Sequence, residues 1–234
     1  MNKTKCGSFT EVHHEVHHEV HNERHYENVD RGWFKIGKPT PEKRASEPQP
    51  DSNCTVLVYM DQEYDLTPAL GKVAASGIMK RMTTLGRMAE IFQLPTIITL
   101  LGTGVEKYQG FLGQKLHSLF PSVPILTRTE INAWDNSAFV QTIRRTKCKS
   151  LVLAGIGLDP SLVVTALTAA SQGYRVFVVI GEDEKKTVVT EAAIQRLIQA
   201  GVWPISWMGL AFYLQRDWSS PTSTSLIRLF SEYG

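Results

Sequence analysis

Three residues stand at the ends of short apolar runs, where a polar side chain can do chemistry. Asp61 follows TVLVYM (55–60), Arg128 follows VPILT (123–127), and Ser161 follows Asp159–Pro160. A carboxyl group is a candidate acid or base, a guanidinium pairs with negative charge, and a hydroxyl becomes a nucleophile when a base is at hand. Each also has a plainer role. Asp61 can accept backbone hydrogen bonds at a strand end, Arg128 can form a structural ion pair with Asp61 or Glu63, and Ser161 beside a proline makes a good helix start. Residue type alone leaves both roles open.

A second set lies in the repeat EVHH, EVHH, EVHN, ERHY from Glu11 to Tyr26, which holds six of the seven histidines. On a helix, His13, His17, His21 and His25 lie one turn apart, beside a stripe of Glu11, Glu15, Glu19, Glu23 and Glu27. On a strand, Val12, Val16 and Val20 share a face with His14 and His18. Imidazoles beside carboxylates could bind zinc or nickel, and their titration at about pH 6.5 could switch arm-to-arm association. The repeat runs beyond what one ion needs, which favours self-association over a dedicated metal site; the plain alternative is a solvated tail. Three valines supply little apolar area, so the isolated arm is expected to be disordered and to order only against a partner or a second copy.

The chain of 234 residues is 42% hydrophobic with a net charge of +2. Its basic residues are scattered, which gives no footprint for nucleic acid or acidic lipid. No run approaches a membrane span and no signal-peptide core opens the chain, so a soluble, cytoplasmic protein is expected. Cys6, Cys54 and Cys148 are widely spaced and outside any CxxC pattern, against a disulfide framework or a structural zinc site. No cofactor is expected.

Residues 39–50, PTPEKRASEPQP, carry four prolines and no large apolar residue, and read as a linker between a His/Glu-rich arm (1–38) and a domain (51–234). Within the domain, 55–60, 95–101, 123–127, 150–156 and 175–181 read as buried strands, with 203–209 as a sixth. Residues 77–93, 106–119, 136–146, 161–172 and 187–200 read as helices, with Asp135 or Asn136 capping the third and Gly173 and Gly201 following the fourth and fifth. The alternation predicts an α/β fold of three layers, a parallel Rossmann-like sheet covered by helices on both faces. Ligand sites in such sheets lie at the carboxyl ends of the strands, where Asp61, Arg128 and Ser161 are expected.

Five segments, LPTIIT (94–99), INAWDNSAF (131–139), LVLAGIGLD (151–159), GYRVFVV (173–179) and SWMGLAFYLQRDW (206–218), make residues 51 to about 230 resemble the isochorismatase-like cysteine hydrolases, most closely their YcaC-like branch. The resemblance implies the same fold, a tendency to form homo-oligomers, and a triad. In the triad an aspartate after the first strand takes a proton, a lysine or arginine after the third steadies negative charge, and a cysteine at a helix start after the fourth is the nucleophile, its pKa lowered by the helix end. Asp61 and Arg128 match the first two positions, and Ser161 stands at the third. The family's Asp-x-Gln pattern would put Met60 in register if matched on Gln62. The gapless run from Asp61 to Pro95 favours Asp61, with Glu63 at the glutamine position.

Further departures surround the serine: Leu158 replaces the usual threonine, and GEDEKK (181–186) replaces an Asp-Ala-x-Gly loop. Two readings follow. In the favoured one, thiol-dependent hydrolysis is lost and the fold serves assembly or interaction. In the alternative, Asp61 still acts as acid or base on a small molecule, protonating a vinyl ether for water to cleave. An acyl-enzyme on Ser161 comes third. Trp134, Trp203, Trp207 and Trp218 are expected in the core or at subunit contacts, with GLAFYLQRDW as the main contact.

Overall fold

Strands buried on both faces need apolar residues at consecutive positions, and Thr55–Met60 (β1) meets that demand with all six residues buried. It lies inside a parallel sheet with Thr96–Leu101 (β2), Ile125–Arg128 (β3), Ser150–Ala154 (β4), Arg175–Val179 (β5) and Trp203–Ile205 (β6), in the order β3-β2-β1-β4-β5-β6. The computed structural model describes residues 49–61, 67–102, 118–123, 125–158, 160–181 and 187–233. The arm with His13, His17, His21 and His25, the residues Gln62, Glu63 and Asp159, the 182–186 stretch of GEDEKK and most of the helix expected over 106–119 lie outside the described residues.

Alternation along β1 divides the core in two. Val56, Val58 and Met60 pack with Phe139, Ile143, Leu162, Val163, Ala166 and Leu197, which come from helices Ser137–Arg145 (α2), Pro160–Ser171 (α3) and Val188–Gln199 (α4). Leu57 and Tyr59 face the other way, toward Thr67–Phe92 (α1), Trp207–Gln215 (α5) and Ser223–Tyr233 (α6), meeting Met82, Leu85, Leu210, Leu214, Leu226 and Leu229. The result is the expected three-layer α/β architecture. Tyr59 brings a polar hydroxyl into this core. Its hydroxyl donates to the carbonyl of Met82 at 2.9 Å, and burial, with Glu90 adding to it, pushes the phenol well above its ordinary range.

Local chemistry sets most of the boundaries. Of the two candidate caps of α2, Asn136 does the work, accepting from Phe139 N at 3.0 Å. Gly173 and Gly201 follow α3 and α4 with φ of +81° and +76°, the left-handed region where a side chain is strained. The run expected as a strand over 203–209 stops at Ile205, because the Ser206 hydroxyl accepts from Gly209 N at 3.0 Å and starts α5. Helix α1 begins at Thr67, ten residues before the expected start, with Pro68 in its first turn, where proline is favoured. The last helix, α6, was not expected; Leu226 and Leu229, three residues apart, are its buried stripe.

Phe139 sits at the hub of the α2–α3–α4 side, fully buried and edge-on to Trp134, which in turn meets Tyr174. Phe139→Ala is expected to cost about 3–5 kcal/mol, read in urea unfolding as a lower midpoint at unchanged slope.

Candidate active site

The strand order reverses direction between β1 and β4, one partner running outward through β2 and β3 and the other through β5 and β6. In parallel sheets of this kind ligand sites lie at such a switch point, at the carboxyl ends of the strands. The three candidate residues converge there. Asp61 follows β1, Arg128 ends β3, and Ser161 is the second residue of α3, the helix after β4.

Asp61 adopts φ 54°, in the left-handed region, which aspartate tolerates better than most residues but still at a cost on the order of 1 kcal/mol. Its N–H stays bonded to the Thr99 carbonyl of β2 at 2.9 Å while the backbone turns. Arg128 must span β2 to meet it, roughly two strand spacings of about 4.8 Å each. Its Nη2 donates to both oxygens of Asp61 at 2.7 Å and to Ser161 Oγ at 2.9 Å. The Ser161 hydroxyl in turn donates to Asp61 Oδ2 at 2.5 Å, the short distance of a bond to a charged acceptor. All three residues are buried, none more than 6% exposed. Met60, the rejected triad position, lies in the core cluster instead.

The rest of the guanidinium is equally occupied. Nε donates to Thr99 Oγ1 at 3.1 Å, and Nη1 donates to the carbonyls of Glu130 and Ile131. Those carbonyls are fixed by the INAWDN segment. Asn132 caps the turn Ala133–Asp135 through Trp134 N, and the Ala133 N–H donates to Thr165 Oγ1 of α3 at 3.0 Å. Asn136 Nδ2 donates to Glu130 at 3.1 Å. Backbone hydrogen bonding, followed by Asn136, holds the Glu130 carboxyl below its ordinary range. The motif is thus a bracket that joins the end of β3 to α3 and presents carbonyls to Arg128.

Two participants escaped sequence reasoning. Thr99 is a fully buried hydroxyl in the middle of β2, between Ile98 and Leu100, and that is the signal that could have marked it. Arg81 on α1 is buried and donates to the carbonyls of Gly155 at 3.3 Å and Ile156 at 3.1 Å, in the turn leading from β4 toward Ser161. Its place between Ile78, Met82 and Leu85 on the inward stripe marks a charge facing the sheet. Leu158, in the same turn, is half-buried and packs against the core on the α3 side. Among the described residues there is no cluster of three or more histidine, cysteine or acidic side chains able to hold a metal ion, and no helix long and apolar enough to cross a membrane.

Comparison with known proteins places this geometry. The profile of the isochorismatase domain matches residues 55–207. YcaC of Escherichia coli K12, described as a probable hydrolase, is 33% identical over 186 residues, which is 78% of this chain and 88% of that protein. The crystal structure of the E. coli ycaC gene product, an octameric hydrolase of unknown specificity, aligns with a TM-score of 0.69 at 31% identity, covering 79% of this chain and 90% of its own. YcaC of Pseudomonas aeruginosa, solved with hexane-2,5-diol and covalent acrylamide, gives 0.64 at 28% identity over 78% and 97%.

A buried charge that loses its partner is costly, whereas replacing both partners is far less so. Arg128→Met is expected to destabilise the protein by about 3–5 kcal/mol, and adding Asp61→Leu to it should return part of that loss. Strictly additive losses in equilibrium unfolding would show that the two side chains do not interact.

Proposed function

This chain belongs to the isochorismatase family, and from that premise we propose that it is an oligomeric, hydrolase-derived protein whose covalent turnover is impaired at Ser161, while its carboxylate–guanidinium frame can still receive a small molecule. The observation that carries this reading is the contact set of Ser161 Oγ, which donates to Asp61 at 2.5 Å and accepts from Arg128 at 2.9 Å. The frame is complete, and the group it activates is a hydroxyl.

The magnitudes favour impairment. A thiol ionises at about 8.5, whereas an unperturbed aliphatic hydroxyl ionises only far above any pH the protein meets. The gap spans several units, each worth about 1.4 kcal/mol. A helix N-terminus offsets about 2 kcal/mol at best. A carboxylate already engaged by a guanidinium has little left to remove the proton.

A specific observation favours a second reading: Asp61, Arg128 and Ser161 remain in mutual hydrogen-bond contact, as a working site requires. There Asp61 serves as acid for a vinyl ether, or as base for an amide cleaved through Ser161. The substrate class would be small molecules in either case.

Oligomerisation is the second part of the proposal, supported by the octameric relative and by the surface of α5, α6 and their connection. Phe212 is 51% exposed, Trp218 47% and Ile227 55%, an apolar group that water solvates poorly. Phe212 stacks on Phe230 with ring centroids 5.5 Å apart and meets Trp218 edge-on at 5.9 Å. We assign this surface to subunit contact, the residue 1–38 arm to further self-association, and the protein to the cytoplasm.

Two experiments test these parts. Incubated with isochorismate and with simple amides, the protein is expected to be inert, and Ser161→Cys is expected to gain covalent labelling by acrylamide that the unaltered chain lacks. Turnover by the unaltered protein that Asp61→Asn abolishes would decide for the second reading. In light scattering, Phe212→Glu should lower the particle mass at least about twofold. Deleting residues 1–50 should alter particle size within about pH 5.5 to 8; an unchanged size would remove the arm from the assembly.

A further inference from the structure

The pairing of β1 with β4 begins with Thr55 opposite Ser150, so the residues leading into these strands meet at the amino-terminal edge of the sheet, the end remote from the triad. Those residues include Cys54 and Cys148. Cys148 is buried in the core on the α2–α3 side, and half-buried Cys54 packs against the same cluster. The Cys54 thiol lies 3.9 Å from the carbonyl of Lys147, the residue before Cys148, and burial first, with the neighbouring Cys54 adding to it, pushes the Cys148 thiol up. Thr55 and Ser150 pair across a strand spacing of about 4.8 Å, and Cys54 and Cys148 lie one and two residues before them, a neighbourhood on the scale of the roughly 4.4–6.8 Å that a disulfide spans between Cα atoms.

The turn that delivers Cys148 is itself unusual. Lys147, with φ 59°, occupies the left-handed region without being glycine. Lys147 N–H bonds back to Arg144 O at 3.1 Å, and Cys148 N–H is held by Thr146 Oγ1 at 3.2 Å. The turn therefore sets the Lys147 carbonyl against the Cys54 thiol and brings Cys148 into the same cluster.

We propose that Cys54 and Cys148 are an oxidisable dithiol, reduced at rest and closed into an intrachain disulfide by a peroxide. Cys54, the more exposed of the two, reacts first. Its sulfur attacks one peroxide oxygen and the O–O bond breaks, leaving a sulfenic acid on Cys54 and one water. The Cys148 sulfur then attacks the Cys54 sulfur, and the hydroxyl leaves as a second water with the Cys148 proton. Two thiols give up two electrons and hydrogen peroxide accepts them. Burial pushes the Cys148 thiol up, against a lowering hydrogen bond from Thr146, which suits it to the second, contact-driven step and not to the first. The bond would tie the starts of β1 and β4 together and does not depend on any reading of the triad.

The test uses the full chain carrying Cys6→Ser, treated with hydrogen peroxide, blocked with N-ethylmaleimide, digested and weighed. The expected product is a peptide pair joined through Cys54 and Cys148, two hydrogens lighter than its parts and released by dithiothreitol. Oxidation should also raise Tm by roughly 5 °C. Cys148→Ala, checked for folding by circular dichroism, should divert Cys54 to the sulfinic acid. Sulfinic acid at Cys54 while Cys148 is present, linkage between chains only, or two thiols that survive peroxide would each overturn the proposal; the first and last need no variant at Cys54 or Cys148.

Discussion

A buried guanidinium tolerates no idle nitrogen, and Arg128 imposes that demand on everything around it. Its three nitrogens call on the side chain of Thr99, the carbonyls of Glu130 and Ile131, the carboxylate of Asp61 and the hydroxyl of Ser161. Desolvating such a cation costs several kcal/mol, recovered only when geometry and hydrogen bonding are both good. The switch-point topology makes this possible, because it brings the ends of β1, β2 and β3 and the start of α3 within one arginine's reach. The left-handed turn at Asp61 and the bracket around INAWDN are local concessions to the same demand.

The same network frames the chemical question. A thiol in the place of Ser161 would sit between a proton acceptor and a cation, at the positive end of a helix, and each of these favours a thiolate. A hydroxyl in that place gains the same three influences and still falls short of an alkoxide by a wide margin. The three side chains form a buried, charge-balanced polar cluster at the carboxyl end of the sheet. Under the proposed reading, weak nucleophilicity and recognition of a small molecule are compatible, since recognition needs the donors and acceptors but not the anion.

Much of this was legible in the residues. The apolar runs gave the first five strands with their order of appearance, and the continuous gapless stretch after Asp61 chose it over Met60. Less legible was anything that depends on which strands become neighbours. Thr99 reads as one more β-branched residue until β2 lies between β1 and β3. Cys54 and Cys148 read as isolated thiols until β1 and β4 pair, because sequence spacing carries no information about sheet order. The strand expected through Gly209 stopped at Ile205 for a different reason, since a serine cap outweighed a run of large apolar side chains. The helix α6 was missed because its Ser- and Thr-rich first turn masks the short stripe of leucines behind it.

Thr99 makes two contributions at once, its carbonyl to the Asp61 N–H and its hydroxyl to Arg128 Nε. A slip of β2 by a single residue would turn that hydroxyl to the opposite face of the sheet and strand the arginine. The central threonine thus acts as a gauge of alignment during folding. Three strands that reach the correct offset are rewarded with a satisfied charge, and any other offset buries an unsatisfied one, so the polar cluster also proofreads the sheet beneath it.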